Sequence, residues 1–362
     1  MKGKIGILTY QDTSNFGATL QAFALCKYLL LKGNDAQIID YKSVSIDKRE
    51  NPQKLFLELK NSFSLKNKIF CLLTYKKRVN KYRNLKSFIR KNASLSQTVL
   101  RADLKKIESE YDYFLVGSDM VWNFEINQND FSYLLDFISK DNCKYSYASS
   151  IGEEWMPESD NQICSLLNQF SKIGVRENQA KIILDSKINK DVKVVCDPTM
   201  LLTPEQWSKY IETPCYKNYV LVYFDDEHSN CLKNAIQYGK KNNLKVLYIS
   251  LSFKKNQGYI PVFPKTIEEF LGLISESKAV FTASYHGMLF SIYFRRNLFW
   301  YGRSQSSRMN FLSEKLGLNI RKGTEVDFEN ISEIDYDSTF VEMSDFREES
   351  ERYLLSYFEE NV

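Results

Sequence analysis

Short apolar runs alternate with longer stretches of helical spacing along most of the chain, which predicts an α/β protein with mainly parallel sheets. A first series of strands is expected at residues 4–9, 37–41, 113–117, 144–148, 171–175 and 192–195. A second series follows Pro214, at 219–224, 244–249, 278–281 and 297–301, with helices between. Between the series, residues 198–214 carry Pro198, Pro204 and Pro214, and they read as a junction. The pattern gives two Rossmann-like lobes, 1–200 and 215–335, with a cleft between them, a size that suits 362 residues. The first helix, 17–31, contains Leu20, Phe23, Ala24 and Leu31 and stops at Lys32-Gly33.

One region breaks the rhythm. Leu65, Ile69, Leu72, Val79, Tyr82 and Ile89 recur at helical spacing, so residues of about 52–102 read as a helical insertion in the first lobe. A closing amphipathic helix is expected over 344–358, capped by Ser344 or Asp345, within a tail (340–362) able to cross back to the first lobe. The insertion changes the meaning of a modest net charge of +4. From residue 59 to 102 there is no Asp or Glu, yet twelve Lys and Arg, including Lys76, Lys77, Arg78, Lys81 and Arg83. That distribution points to an anionic partner for this segment, such as a membrane surface, or to a solvated helical arm packed by its apolar stripe.

Hydrophobic residues make up 43% and charged residues 26%, a globular composition. No apolar run is long enough to span a bilayer, and the amino terminus lacks the charged and apolar regions of a signal peptide. Seven scattered cysteines without a CxxC fit a reducing cytosol and neither a disulfide framework nor a zinc site. A cytoplasmic protein, associated peripherally with the inner face of a membrane, is the expectation.

Ligands of open parallel sheets bind beyond the carboxyl ends of the strands, so polar residues just after expected strands are the first candidates. The sharpest loop is Ser284-Tyr285-His286-Gly287, where His286 stands beside the N–H groups of a helix start and Gly287 permits close backbone approach. A functional histidine is favoured over a loop-capping one there; His228, in an acidic turn, carries little weight. Asn15 and Gly17 open the first helix either as cap and packing glycine or as substrate contacts. Asp119, beside Ser118, reads as a base, a sugar-hydroxyl acceptor or a cap, and Ser149 follows another strand. Arg176 fits an ion pair with a neighbouring helix or a carboxylate or phosphate clamp; Arg303 and Arg308 lie in a polar loop suited to anions. There is no GxGxxG, P-loop, HExxH or GxSxG.

These loops, taken together, resemble the polysaccharide pyruvyl transferase family across nearly the whole chain. The landmarks are residues 14–22 (SNFGATLQA), 117–123 (GSDMVWN), 147–152 (YASSIG), Val175-Arg176-Glu177, 197–202 (DPTMLL), 284–287 (SYHG) with Phe290-Ser291, and Ser306-Ser307-Arg308. Two departures from the family pattern are Met120, where Gln is frequent, and Ala283, where Asp is frequent. The resemblance implies an architecture similar to the two-lobed GT-B glycosyltransferases. It also implies transfer of pyruvate from phosphoenolpyruvate to two hydroxyls of a sugar or lipid-linked oligosaccharide, forming a ketal for capsule or exopolysaccharide. In that scheme His286 and Asp119 are catalytic. Arg176, Arg308, Arg303, Ser284 and Gly287 hold the donor, and Asn15, Gly17, Ser118 and Ser149 face the acceptor. No cofactor and no metal are required.

Two other readings use the same residues. A GT-B-like glycosyltransferase would place a nucleotide sugar where phosphoenolpyruvate is expected, and a glycan- or membrane-binding relative would have kept the fold without catalysis. Nucleic acid is not an expected partner, because no recognition motif accompanies the basic segment.

Overall fold

The computed structural model describes residues 3–62, 65–152, 155, 160–224, 230–251, 257–302 and 307–358, with the backbone alone at 58–62 and 65–67. It forms two compact units: residues 1–202 with 345–362, and residues 203–344. Both are parallel-sheet α/β units of Rossmann type.

In the first unit seven strands are β1 (Lys4–Leu8), β2 (Asp35–Tyr41), β3 (Leu95–Val99), β4 (Tyr113–Val116), β5 (Lys144–Ser149), β6 (Lys172–Val175) and β7 (Val192–Val194). They pair in the order β3-β2-β1-β4-β5-β6-β7, all parallel. The inner strands are runs such as Ile-Gly-Ile-Leu and Tyr-Phe-Leu-Val, nearly all buried, as a sheet covered on both faces demands. The chain winds outward from β1 to β3, then returns to lay β4 on β1's other edge. The order therefore reverses between β1 and β4.

The second unit repeats this plan with β8 (Tyr219–Tyr223), β9 (Lys245–Ile249), β10 (Ile260–Val262), β11 (Ala279–Thr282) and β12 (Asn297–Trp300). Their order is β10-β9-β8-β11-β12, again all parallel, and the reversal falls between β8 and β11. Its core includes Val220, Val222, Phe281 and Phe299. The short helix Pro204–Ser208 belongs here, with Trp207 edge-on to Phe290 at 5.0 Å between ring centroids.

The helix Phe16–Leu31 is buried on almost every side, which explains why its sequence is apolar around the whole circumference rather than on one stripe. Part of its cover is the long helix Leu65–Asn92, whose Phe88 meets Phe23 edge-on at 5.0 Å. The carboxyl-terminal half of that long helix is anchored: Val79, Leu85, Phe88 and Ile89 are buried. Two of its lysines there turn inward, while Arg83, Arg90 and Lys91 are exposed. Lys86 reaches Asp12 and Asp40, both at 3.3 Å, Tyr82 donates to Asp12 at 2.5 Å, and the Lys81 ammonium lies 3.8 Å from the centroid of the Phe16 ring. Upstream on the same helix Ile69, Leu72 and Leu73 are exposed beside exposed Lys76 and Lys77. The stretch expected as a wholly helical insertion also contains β3, which pairs with β2 at the sheet's edge.

At the carboxyl end, one helix runs from Tyr336 to Leu355, eight residues earlier than the expected cap at Ser344. Asp335 starts it, its carboxylate accepting from the N–H groups of Asp337 and Ser338, each at 3.1 Å. Residues beyond 344 pack in the first unit: Ser350 Oγ accepts from Cys196 N at 2.9 Å, and Tyr357 OH donates to the Ser146 carbonyl at 2.8 Å. None of the seven cysteines is in a disulfide, and no described helix is long and apolar enough to cross a membrane.

Candidate functional site

In open α/β sheets the crevice for ligands lies beyond the strands' carboxyl ends where the strand order reverses. Each unit has one such place, and each holds candidates.

In the first unit the reversal lies between β1 and β4. Asn15, exposed, caps the first helix by accepting from Gly17 N at 2.9 Å, so its side chain has a local task. Across the reversal, β4 runs into Gly117-Ser118-Asp119. Gly117 has φ +117°, and a Cβ on it would collide with the Tyr147 carbonyl oxygen, so glycine is required. The loop is tied to β1 through Gln21, which accepts from Ser118 N at 3.1 Å while donating to Thr9 Oγ1 at 2.9 Å; Thr9 Oγ1 donates to the Ser118 carbonyl at 2.9 Å. Ser118 and Ser149 are wholly buried. Ser149 Oγ donates to Val116 O at 3.3 Å, and Ser118 Oγ meets no partner among the described residues.

Asp119 belongs to a cluster of one cation and three carboxylates. Arg176, closed off from solvent, places Nη1 2.9 Å from Asp197 Oδ2, Nη2 3.7 Å from Asp119 Oδ1 and Nε 4.0 Å from Glu177 Oε2. Asp197 also caps the turn after it, accepting from Thr199 N at 2.9 Å and Thr199 Oγ1 at 2.7 Å. Glu177 accepts from Ser150 Oγ at 2.8 Å and Ile151 N at 3.2 Å. Arg176, Asp197 and Glu177 have no exposed side-chain surface, whereas Asp119 keeps 15%. The network thus opens outward through Asp119. Nearby, burial first and then the Asp119 charge push the Tyr10 phenol well above its ordinary pKa, and Tyr10 OH donates to the Met120 carbonyl at 3.0 Å.

In the second unit β11 ends at Thr282 and the helix Tyr285–Tyr293 begins three residues later. Ser284 is its N-cap, its Oγ accepting from Gly287 N at 3.3 Å, and it therefore serves the helix first. His286 sits in the first turn, 8% exposed, with Tyr285 edge-on at 5.4 Å. Thr282 Oγ1 staples the loop by donating to the Tyr223 carbonyl at 2.6 Å and accepting from Ser284 N at 3.0 Å. Gly287 packs directly against Thr282 and Tyr223. Ala283 is buried and sends its N–H to the Phe224 carbonyl at 2.9 Å. Arg308 stands in the first turn of the helix Ser307–Lys315, partly buried, while Arg303 and His228 lie outside the described residues.

The sequence pattern marked the loops but not the residues that hold them. Gln21, Asp197 and Glu177 stood within the family landmarks without an assigned role, and by themselves each shows only a polar side chain inside an otherwise apolar helix or beside a strand end. That signal says "buried and bonded" without naming the partner.

Among solved structures, the chain is similar to a glycosyltransferase from Rickettsia africae at 15% identity, covering 98% of this chain and 94% of that one, with a TM-score of 0.45. It is also similar to the UDP-GlcNAc 2-epimerase of Methanocaldococcus jannaschii in complex with UDP-GlcNAc and UDP, at 13% identity over 95% and 92% of the two chains, TM-score 0.45. No curated protein matches. The family model for polysaccharide pyruvyl transferases matches residues 15–305, beginning at the cap of the first helix and running past β12. That span contains Asp119, Arg176 and His286 with the loops that hold them, and the chain belongs to the polysaccharide pyruvyl transferase family.

Proposed function

We propose that the protein transfers the pyruvyl group of phosphoenolpyruvate to two hydroxyls of one sugar in a surface polysaccharide or its lipid-linked precursor, forming a cyclic ketal and releasing phosphate. The observation that carries this reading is the family match over residues 15–305. The chemistry asks for a proton on the methylene carbon of the enol, which leaves an oxocarbenium-like centre for the first hydroxyl. Loss of phosphate re-forms that centre, and the second hydroxyl closes the ring. Of the two hydroxyl protons, one balances the new methyl group and the other leaves with phosphate.

His286 is assigned the acid that serves the donor, because an imidazole in the first turn of a helix combines a titrating group with a dipole end that favours anions. Asp119 is assigned the hydroxyl base, as the one carboxylate of its cluster with exposed surface. Arg176 then acts as a positioning residue that holds Asp119 in place. Donor charge falls to Arg308 and Arg303, with Ser284 and Gly287 at the start of the His286 helix, and Asn15, Gly17, Ser118 and Ser149 shape the acceptor side. No cofactor or metal enters the scheme. The acceptor is met at the cytoplasmic face of a membrane, where exposed Ile69, Leu72 and Leu73 next to Lys76 and Lys77 suit an anionic lipid surface.

The test is phosphate release from phosphoenolpyruvate in the presence of an acceptor glycan, paired with thermal stabilisation by phosphoenolpyruvate. His286→Asn is expected to melt normally yet turn over about a hundredfold more slowly. Stabilisation by UDP-sugars and none by phosphoenolpyruvate would replace this reading with nucleotide-sugar transfer.

A further inference from the structure

The second unit contains a cavity of about 540 Å³ that has no part in the reading above. Its wall takes Tyr238 and Lys241 from the end of the helix Cys231–Lys241, Asn297 from the first residue of β12, and Arg321, Phe328 and Tyr336 from the chain that follows. A helix end that leads into β9 and the opening residue of β12 both mark the amino-terminal edge of the sheet. His286, after the carboxyl end of β11, belongs to the opposite edge.

Arg321 is the unusual member. It is 3% exposed, and its Nε and Nη1 are buried with no hydrogen-bond partner among the described residues. Its guanidinium carbon lies 5.2 Å from the centroid of the Phe299 ring, a contact that holds the charge without using its N–H donors. The other charges on the wall are largely spent. Lys241 pairs with Glu329 at 2.7 Å and Arg295 with Asp337 at 3.1 Å, while the exposed Glu333 acts on Arg321 only at longer range. Burial lowers the Arg321 pKa from its ordinary value, with Tyr336, Tyr238 and Glu333 opposing, yet an arginine keeps its proton. On the same wall Asn297 donates Nδ2 to Tyr238 OH at 3.0 Å, and its buried Oδ1 meets no donor among the described residues.

A buried cation with idle donors and a buried amide oxygen with an idle acceptor are each costly to leave unmatched. One ligand matches both: an anionic group for Arg321 and a hydroxyl for Asn297, on a ring small enough for the cavity and bordered by Tyr238, Phe328 and Tyr336. We propose that this cavity is a second ligand site, for a small acidic sugar, whose carboxylate or phosphate meets Arg321 and whose hydroxyl meets Asn297.

Calorimetry on the full chain with glucuronate, glucose 1-phosphate, inorganic phosphate and glucose tests the proposal and separates carboxylate from phosphate. At least one acidic sugar is expected to bind, with glucose and inorganic phosphate each weaker by about tenfold or more, since each lacks one of the two contacts. Asn297→Asp, nearly isosteric, puts a negative charge against the ligand and is expected to abolish the binding; Arg321→Lys keeps the charge but loses the fork and is expected to weaken it about tenfold. Should Arg321→Lys fail to fold, Asn297→Asp decides alone. Unchanged binding in His286→Asn places the ligand away from the candidate active site. The proposal is overturned if no acidic sugar binds, if glucose binds as well as they do, if Asn297→Asp leaves affinity unchanged, or if His286→Asn removes it.

Discussion

Gly287→Ala sets two known effects against each other at the centre of the candidate site. Ala is the better helix residue by about 1 kcal/mol, and Gly287 lies in the first turn of a nine-residue helix, so propensity alone favours the substitution. Space opposes it. An added Cβ would stand 2.9 Å from Tyr223 Cδ1 and closer still to Thr282 Oγ1, where real Cβ atoms keep at least 3.0 Å. Neither neighbour is a loose end: Thr282 Oγ1 holds both Tyr223 O and Ser284 N, and the Tyr223 ring packs 4.9 Å from Phe270. Overpacking of a fixed environment costs about 1–3 kcal/mol, and two held contacts argue for the upper half. The variant should therefore be less stable by about 1–2 kcal/mol once the helix gain is subtracted, with His286, the adjacent residue, displaced and turnover reduced. Urea unfolding gives the stability and the phosphate-release assay the rate. Repeating Gly287→Ala in a Thr282→Ala background should recover part of the loss, because one of the two obstructing atoms is gone. A single Gly287→Ala variant as stable as the wild type, or more so, refutes the steric argument.

Asp197→Asn keeps the shape and the turn cap but removes the charge nearest Arg176, and should cost about 3 kcal/mol in urea unfolding, since a buried cation loses its closest counter-ion; Lys193→Gln, on an exposed side chain, should cost less than about 0.5 kcal/mol. Burial pulls the Lys81 ammonium down to about 8 from 10.5. Between those values the unfolded chain binds more protons than the folded one, so folding gains stability as pH rises through that window and gains nothing from this group below it. Lys81→Met should remove that rise, and parallel stability curves for wild type and variant from about pH 7 to pH 10 would contradict it. Changing Lys76 and Lys77 to Gln together with Leu72 and Leu73 to Ser should abolish co-sedimentation with anionic vesicles at low salt while phosphate release from a soluble acceptor persists; equal recovery with anionic and neutral vesicles would count against the membrane role.

Ten of the twelve strands were legible in the sequence, among them the edge strands β7 and β12, and the buried inner ones were the plainest. β1, β4, β5 and β8 are unbroken apolar or small-residue runs, and the expected and observed limits differ by a residue or so. The two that left no clear trace, β3 and β10, are edge strands. β3 reads Leu-Ser-Gln-Thr-Val without one buried residue, and β10 is three residues with a proline in the middle. The edge strands β7 and β12 kept valines or an apolar run and were read, whereas β3 and β10 owe their pairing to a neighbour's free hydrogen bonds, which their own composition does not record. The closing helix was placed late for a similar reason. Its first turns carry Tyr336, Ser338 and Thr339, poor helix formers by themselves, and the Asp335 cap decides the start. At the candidate site the sequence marked Asp119, Arg176 and His286 through their position after strands. The sharing of Arg176 among three carboxylates draws Asp119, Glu177 and Asp197 together from the ends of different strands, and pairing over such separations leaves no periodicity to read.

The return of residues 345–358 to the first unit also bears on how the chain is made. Tyr357 stacks on Tyr145 at 5.1 Å, and Lys172 donates to the Ser356 carbonyl at 3.1 Å, so contacts inside the first sheet's cover wait until residues 345–358 have been made. Residues 203–344 are complete before then and can fold as a unit while the earlier one is still unfinished. Synthesis thus leaves the edge of β5 and β6 uncovered for the time needed to translate the whole second unit, and that interval is when a chaperone would have most to hold.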